Sequence, residues 1–291
     1  MSGMSGGSGT VLRARGRELQ FEKRPLVMGI VNLSEDSFSG DGIANASQAL
    51  LHAERLLAEG ADLIDVGAES ARTNRGPVSI EEEAERLCAF VELWREAGHA
   101  EWLSINTWRP EVARRVLAVG GDLLNDIGAL PDGENARICA EFGAALLIMH
   151  SVGQPKVAHT HVGYGDVMEA LEQFFGEKLA LADAAGLSRD AVVLDPGIDF
   201  AKQKDDNLRI YSQLERLHQF GRPILLPVSR KTVIGNVLGL VNPAERDAGT
   251  VACIVAGMLR GAHLFRVHNV RAAAATVRTI AAVQSGTLDG F

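Results

Sequence analysis

Three short segments put ionisable side chains directly after apolar runs: Leu194-Asp195-Pro196-Gly197, Pro227-Val228-Ser229-Arg230-Lys231 and Arg266-Val267-His268. Continuous apolar runs of this kind read as strands covered on both faces. If those strands are parallel, their C-terminal ends meet at one mouth. A carboxylate, a Lys-Arg pair and an Arg-His pair then share one pocket. A carboxylate can accept two adjacent N–H groups of a heterocycle as a charge-assisted pair, and guanidinium groups grip oxyanions bidentately. The combination suits a polar heterocycle that carries an anionic leaving group, and it marks the chain as an enzyme.

Positioning such ends requires a regular alternation of elements, and the sequence supplies it. Apolar runs at 26–31, 63–67, 102–105, 122–124, 144–149, 191–194, 223–228 and 263–267 predict eight strands. Helical spacing follows each, over about 46–59, 80–97, 110–119, 133–142, 165–185, 205–219, 243–260 and from after the last strand to about 283. Gly60 ends the first helix as a C-cap. Ser79-Ile80-Glu81-Glu82 opens the second with a capping pattern, and Pro110 starts the third. Eight strand–helix units in strict order predict a (β/α)8 barrel, a TIM barrel, rather than an open sheet. No Gly-x-Gly-x-x-Gly follows the first strand, which argues against a dinucleotide fold. Ahead of the barrel, residues 11–21 predict a β-hairpin turning at Gly16 that plugs the N-terminal mouth.

The bulk properties exclude several classes. A chain of 291 residues with 46% hydrophobic residues fills one large core. The organisation predicted is a flexible lead-in over 1–9 and a single barrel domain over 10–291. A net charge of −8 argues against nucleic acid as a partner. No apolar run is long enough for a transmembrane helix, and the first ten residues lack the features of a signal peptide. Cys88, Cys139 and Cys253 are odd in number, far apart and set in helical apolar patterns, so they predict free thiols and a reducing cytoplasm. The His159-Thr160-His161 pair has no further ligands nearby in sequence and reads as solvated rather than metal-binding.

The strand ends together carry Asn32, Glu69 with Arg72, Asn106, Asn125 with Asp126, His150, Asp195, Ser229-Arg230-Lys231 and Arg266 with His268. In this set the chain resembles the dihydropteroate synthase family of pterin-binding barrels. The matching segments are Met28-Gly29-Ile30-Val31-Asn32, Asp36-Ser37-Phe38-Ser39, Ile64-Asp65-Val66-Gly67 with Glu69-Ser70, Asn125-Asp126-Ile127, Asp195-Pro196-Gly197, Ser229-Arg230-Lys231 and Arg266-Val267-His268. Each is weak alone. Their order and their places at strand ends, over about residues 10–284, make the resemblance specific.

The resemblance implies condensation of 6-hydroxymethyl-7,8-dihydropterin diphosphate with 4-aminobenzoate to dihydropteroate and diphosphate. It implies catalytic roles for Lys231, Asp195, Asn106 and Asp36, and a pterin site of Asn106, Asn125, Asp195 and Lys231. Asn32, Arg72, Arg266 and His268 would bind diphosphate, Asn32 with a Mg2+ ion, and Phe38, Ser229 and Thr232 would meet 4-aminobenzoate. It also implies a homodimer through the last barrel helices. Plainer readings remain open at this level: Asp195 as a helix N-cap, Asn125 as a turn residue, Lys231 as an exposed lysine, and Arg266 with His268 as a solvated pair.

The chain departs from the family pattern at Asn106, where the family usually has aspartate. An amide keeps the hydrogen bonds but loses the charge, which in a dry site is worth on the order of a few kcal/mol of transition-state stabilisation. Asp199 stands where the family usually has glycine and predicts a charge near the arylamine that repels its carboxylate. Ala71 and Thr73 alter the loop around Arg72. Two alternatives follow: a paralogue that binds pterin with little turnover, and a methyltetrahydrofolate-dependent methyltransferase, which has no need of a diphosphate grip.

Overall fold

The computed structural model describes residues 10–21, 23–33, 42–69, 78–157 and 162–287, with the backbone alone for 42–45. Strands β1 (Val11–Ala14) and β2 (Arg17–Gln20) pair antiparallel. Arg15 (φ 52°) and Gly16 (φ 71°) make the two-residue turn between them. Positive φ at both positions gives the twist that matches paired strands, and glycine accepts it without steric cost.

The hairpin closes the bottom of the barrel, as its sequence predicts. The Arg15 N–H donates to Gly143 O at 2.7 Å, and its guanidinium reaches Gly121 O and Leu117 O. Arg17 pairs with buried Asp122 at 2.8 Å, and Arg95 holds the other oxygen of the same carboxylate at 2.7 Å. Leu12 is fully buried, and Phe21 meets His263 edge to face. All these partners precede barrel strands, so they lie at the strands' N-terminal ends.

Eight parallel strands follow: β3 (Leu26–Asn32), β4 (Leu63–Gly67), β5 (Trp102–Asn106), β6 (Leu123–Asp126), β7 (Ala145–Met149), β8 (Val192–Asp195), β9 (Leu225–Leu226) and β10 (Leu264–Val267). Their spatial order is β8-β7-β6-β5-β4-β3-β10-β9. A bridge between Leu194 and Ile224, with Leu194 N–H on Pro223 O at 2.9 Å, brings the two ends together. Around them lie α1 (Gly42–Ala58), α2 (Ile80–Glu96), α3 (Pro110–Val119), α4 (Glu134–Phe142), α5 (Val167–Ala184), α6 (Lys204–Ser212), α7 (Thr232–Leu238), α8 (Asp247–Leu259) and α9 (Val270–Ser285).

Four local features differ from the sequence-based expectation. The run 223–228 forms only a two-residue ladder, because Pro223 and Pro227 flank it and have no N–H to donate. The helix expected over 205–219 breaks at Gln213 (φ −129°), and Leu214–Phe220 continues as tighter 3-10 turns. The helix expected from 243 begins as a 3-10 turn, Pro243–Arg246. Helix α7 was not expected at all. Its sequence Thr-Val-Ile-Gly-Asn-Val-Leu combines β-branched residues with glycine and has weak helical propensity. Among the described residues there are therefore nine α-helices rather than eight.

The thiols are free, with Cys139 buried and Cys88 and Cys253 half-buried. Among the described residues no helix is long and apolar enough to cross a membrane. The lead-in 1–9 and the His159-Thr160-His161 segment lie outside the described residues.

Candidate active site

Strand register assembles the mouth. Asn32 pairs with Gly67, Gly67 with Asn106, and Asn106 with Asn125, so one level of the ladder carries three amides. Gly67 is the gap in that row. A β-carbon there would lie 3.3 Å from the Asn106 β-carbon, so glycine lets the amide stand upright beside it. One level below, Asp65 pairs in register with Ser104.

Asp65 is wholly buried and accepts three hydrogen bonds. Arg266 Nε donates to Oδ2 at 2.7 Å, Ser104 Oγ to Oδ1 at 2.6 Å, and Asn125 Nδ2 to Oδ1 at 3.2 Å. A charge with no access to water is tolerated only when so paired. The same contacts aim Arg266 across the barrel and turn the Asn125 amide. Asn125 Oδ1 is left buried without a hydrogen-bond partner among the described residues. A buried acceptor in that state costs free energy until something donates to it.

Asp195 ends β8 and is buried. Its Oδ1 accepts the Gly197 N–H at 2.7 Å, a local turn contact. That contact accounts for the plainer reading of Asp195, but it engages one oxygen only. Burial pushes the carboxyl up to about 6, against the opposing pull of the Gly197 N–H and then of the Lys231, Lys202 and Arg266 charges. These charges therefore lie close enough to act on one another. Lys231 donates from Nζ to Ile198 O at 2.8 Å and lies 5.0 Å above the Phe200 ring. Burial lowers its pKa, while Asp199 and Asp195 raise it.

His268 sits at the rim. Its Nδ1 is 2.8 Å from Ser229 Oγ, which also accepts the His268 backbone N–H at 3.1 Å. Ser229 thus faces the Arg266–His268 strand. Asn32 and His268 line one cleft of about 500 Å3, together with Gln48, His52 and Arg55 of α1. Asn106 is buried at the mouth, and its amide makes no hydrogen bond among the described residues. Thr232 is the exposed first residue of α7. Asp36, Phe38 and Arg72, with Ala71 and Thr73, lie outside the described residues.

Several strand-end residues do not join the site. Arg230 turns away from Lys231 and forks onto Asp247 at 2.7 and 3.1 Å, so the expected Lys-Arg pair is divided. Asp126 faces the helices, where Asn135 Nδ2 (2.9 Å) and the Gly128 N–H (2.7 Å) hold it. Glu69 is taken by Arg109 and Lys156, each at 2.7 Å. Asp199 has a structural role as well. Both its oxygens accept N–H groups at the start of α7, from Thr232 and Val233, so its charge caps that helix beside Thr232.

Sequence reasoning missed two contributors. Asp65 was visible only as part of a motif, because a carboxylate in mid-strand gives no sign of facing inward. Lys202 places Nζ 2.8 Å from His150 Nδ1. Its position seven residues past a strand, among lysines and aspartates, gave no signal.

Comparison with known proteins agrees with this arrangement. Residues 28–268 match the family described as pterin binding enzyme. A dihydropteroate synthase of Escherichia coli (strain K12) is 37% identical over 275 residues, covering 94% of this chain and 96% of that protein. The chain belongs to the dihydropteroate synthase family. Two solved synthases of Xanthomonas albilineans superpose closely on this family member. One, with 4-aminobenzoic acid, gives a TM-score of 0.87 at 36% identity over 96% of this chain and 99% of that one. The other, with 7,8-dihydropteroate, gives 0.82 at 36% identity over 94% and 99%.

The buried pair makes the first prediction. Asp65→Asn removes the charge that holds Arg266 and should destabilise the fold by about 3 kcal/mol, as for a buried pair broken on one side. Chemical denaturation measures it. An unchanged midpoint would mean that Arg266 is oriented by something else.

Proposed function

We propose that this enzyme condenses 6-hydroxymethyl-7,8-dihydropterin diphosphate with 4-aminobenzoate, giving 7,8-dihydropteroate and diphosphate. The observation that carries the reading is the pairing of an unmet buried acceptor, Asn125 Oδ1, with a buried carboxylate, Asp195, in one mouth. A pterin edge offers what both lack. Its ring N–H and exocyclic amine donate side by side to Asp195, and a further N–H meets Asn125. Lys231 supplies a cation to the ring carbonyl, and Asn106 lies level with Asn125 on the neighbouring strand.

In the reaction the methylene C–O bond breaks and its electron pair leaves with the diphosphate. The arylamine nitrogen donates its lone pair to the methylene carbon, and the excess N–H proton is lost to solvent or to the departing anion. An arylamine is neutral near pH 7, so no strong base is required. The protein's task is to hold both partners and to stabilise separating charge with fixed groups. Arg266, held on Asp65, and His268, held on Ser229, present donors to the departing anion. Thr232 and Ser229 flank the amine side. The roles of Asp36, Phe38 and Arg72 rest on sequence resemblance alone.

Magnesium is the fitting ion. Among the described residues no group of three carboxylate, histidine or cysteine side chains could hold a metal. The Asn32 amide oxygen in the cleft suits a hard cation that takes most of its ligands from phosphate and water. When bound, the ion would neutralise charge on the diphosphate.

A homodimer is supported by uncovered apolar surface around the last helices: Val237 (56% exposed), Val241 (91%) and Leu259 (65%). Free thiols fit a reducing, cytoplasmic setting.

Three outcomes test these proposals. Incubated with both substrates and Mg2+, the enzyme should release one diphosphate per dihydropteroate. Pterin binding without diphosphate release would instead favour a non-synthetic relative. Because only the carboxylate of Asp195 accepts both pterin donors, kcat/KM for the pterin should fall as pH drops through about 6. An unchanged rate down to pH near 4 would remove Asp195 from that role. Asn106→Asp restores a negative charge beside the developing cation and should raise single-turnover rates roughly tenfold or more. No gain would show that Asn106 does not face that charge.

A further inference from the structure

Lys202 lies outside the residues assigned above, yet its ammonium is fully engaged. Nζ is 2.8 Å from His150 Nδ1, 3.0 Å from Phe200 O and 3.5 Å from His150 O. Three donors meet three acceptors, which is the complete capacity of a protonated lysine. Burial drives the His150 imidazole down to about 3, and the Lys202 charge adds to that. The ring is therefore neutral and Nδ1 accepts. His150 is fixed in turn by Phe174, edge to face at 4.7 Å.

The segment that Lys202 grips is the one that carries the site. The His150 N–H donates to Asp195 O at 2.8 Å, joining the end of β7 to the last residue of β8. Gly197 (φ 67°) lies against the same junction, so closely that a β-carbon there would fall 2.0 Å from His150 O. Lys231 holds Ile198 O, and Lys202 holds Phe200 O two residues on. Two lysines thus fasten one loop at carbonyls two residues apart.

We propose that Lys202 is a positioning residue for this reaction: its ammonium ties the end of β7 to the loop after β8, and so fixes the Asp195 carboxylate and the carbonyl that holds Lys231. The inference deepens the synthase reading and rests on it for the identity of the ligand. Lys202 acts electrostatically as well as sterically. The charged groups around it are Asp195, Lys231, Asp206 and Asp199, with neutral His150 in contact. Burial brings Lys202 itself down to about 7, so it is cationic in the acid range where Asp195 titrates. There its charge, with those of Lys231 and Arg266, favours the Asp195 carboxylate.

The test is calorimetric titration of the full chain with 6-hydroxymethylpterin over about pH 5 to 8, a range that spans the Asp195 transition. Lys202→Met should weaken binding roughly tenfold near pH 7, the scale of one lost charge-assisted contact. It should also move the acid limb to higher pH, because removing a cation makes Asp195 easier to protonate. Lys202→Arg, permanently charged, should return the limb toward its original position. If Lys202→Met does not fold, His150→Phe removes the Nδ1 acceptor and keeps the charge. That variant should weaken the pterin about threefold with the acid limb unmoved. Lowered thermal stability with unchanged affinity and an unchanged limb would overturn the proposal. Pterin binding is read without turnover, so a wild-type chain that binds pterin but makes no dihydropteroate would overturn the synthase reading and leave this test intact.

Discussion

A carboxylate with no access to solvent sits inside the barrel, and the site is arranged around it. Asp65 on β4 draws Arg266 from β10, Ser104 from β5 and Asn125 from β6. Four strands therefore have their inner faces set by one group. Such a charge is too costly to leave unpaired, so its partners have little freedom to move. Above this layer stand the groups proposed to meet ligand. Arg266 already has a direction, and Asn125 has spent one of its two amide donors below while its acceptor is left without a partner among the described residues. The affinity of the mouth for a hydrogen-bond donor is thus a by-product of neutralising a charge beneath it.

Neighbouring carboxylates show how environment separates similar residues. Asp195 and Asp126 each close a strand, each accept a backbone N–H two residues on, and each are pushed by burial to about 6. Asp126 faces outward and its second oxygen is met by Asn135. Asp195 faces inward among Lys231, Lys202 and Arg266. Only the direction set by strand alternation turns one toward the mouth and makes the other a structural group.

The barrel was legible because its signals are local and repeated: continuous apolar strands, capped helices and glycine stops. Failures came where local signals are weak. Proline on both sides cut β9 short, and α7 lacks the composition of a helix. At the site, Asn32, Asn106, Asn125, Asp195, Lys231, Arg266 and His268 could be named because parallel strands bring their ends together whatever the details. Partnerships were not legible, since they depend on register and on which face a residue takes. Arg230 and Lys231 are adjacent in sequence and point to different places. Asp199 was read only as a charge near substrate, and its contacts at the start of α7 could not be seen because the sequence did not announce that helix. Lys202 becomes meaningful only once His150 and Phe200 are seen on either side of it.

The hairpin at the far end of the barrel has a consequence for traffic. With Leu12, Arg15 and Arg17 seated across the lower rim, the tube is blind at that end. Everything that arrives or leaves must use the same doorway. On the proposed reading, a flat ring that reaches down to Asn125 descends before a second molecule settles above it, and the joined product backs out the way its parts came in. Sequence of entry would then follow from the vessel's shape, to which a hairpin of ten residues contributes from the end away from the mouth.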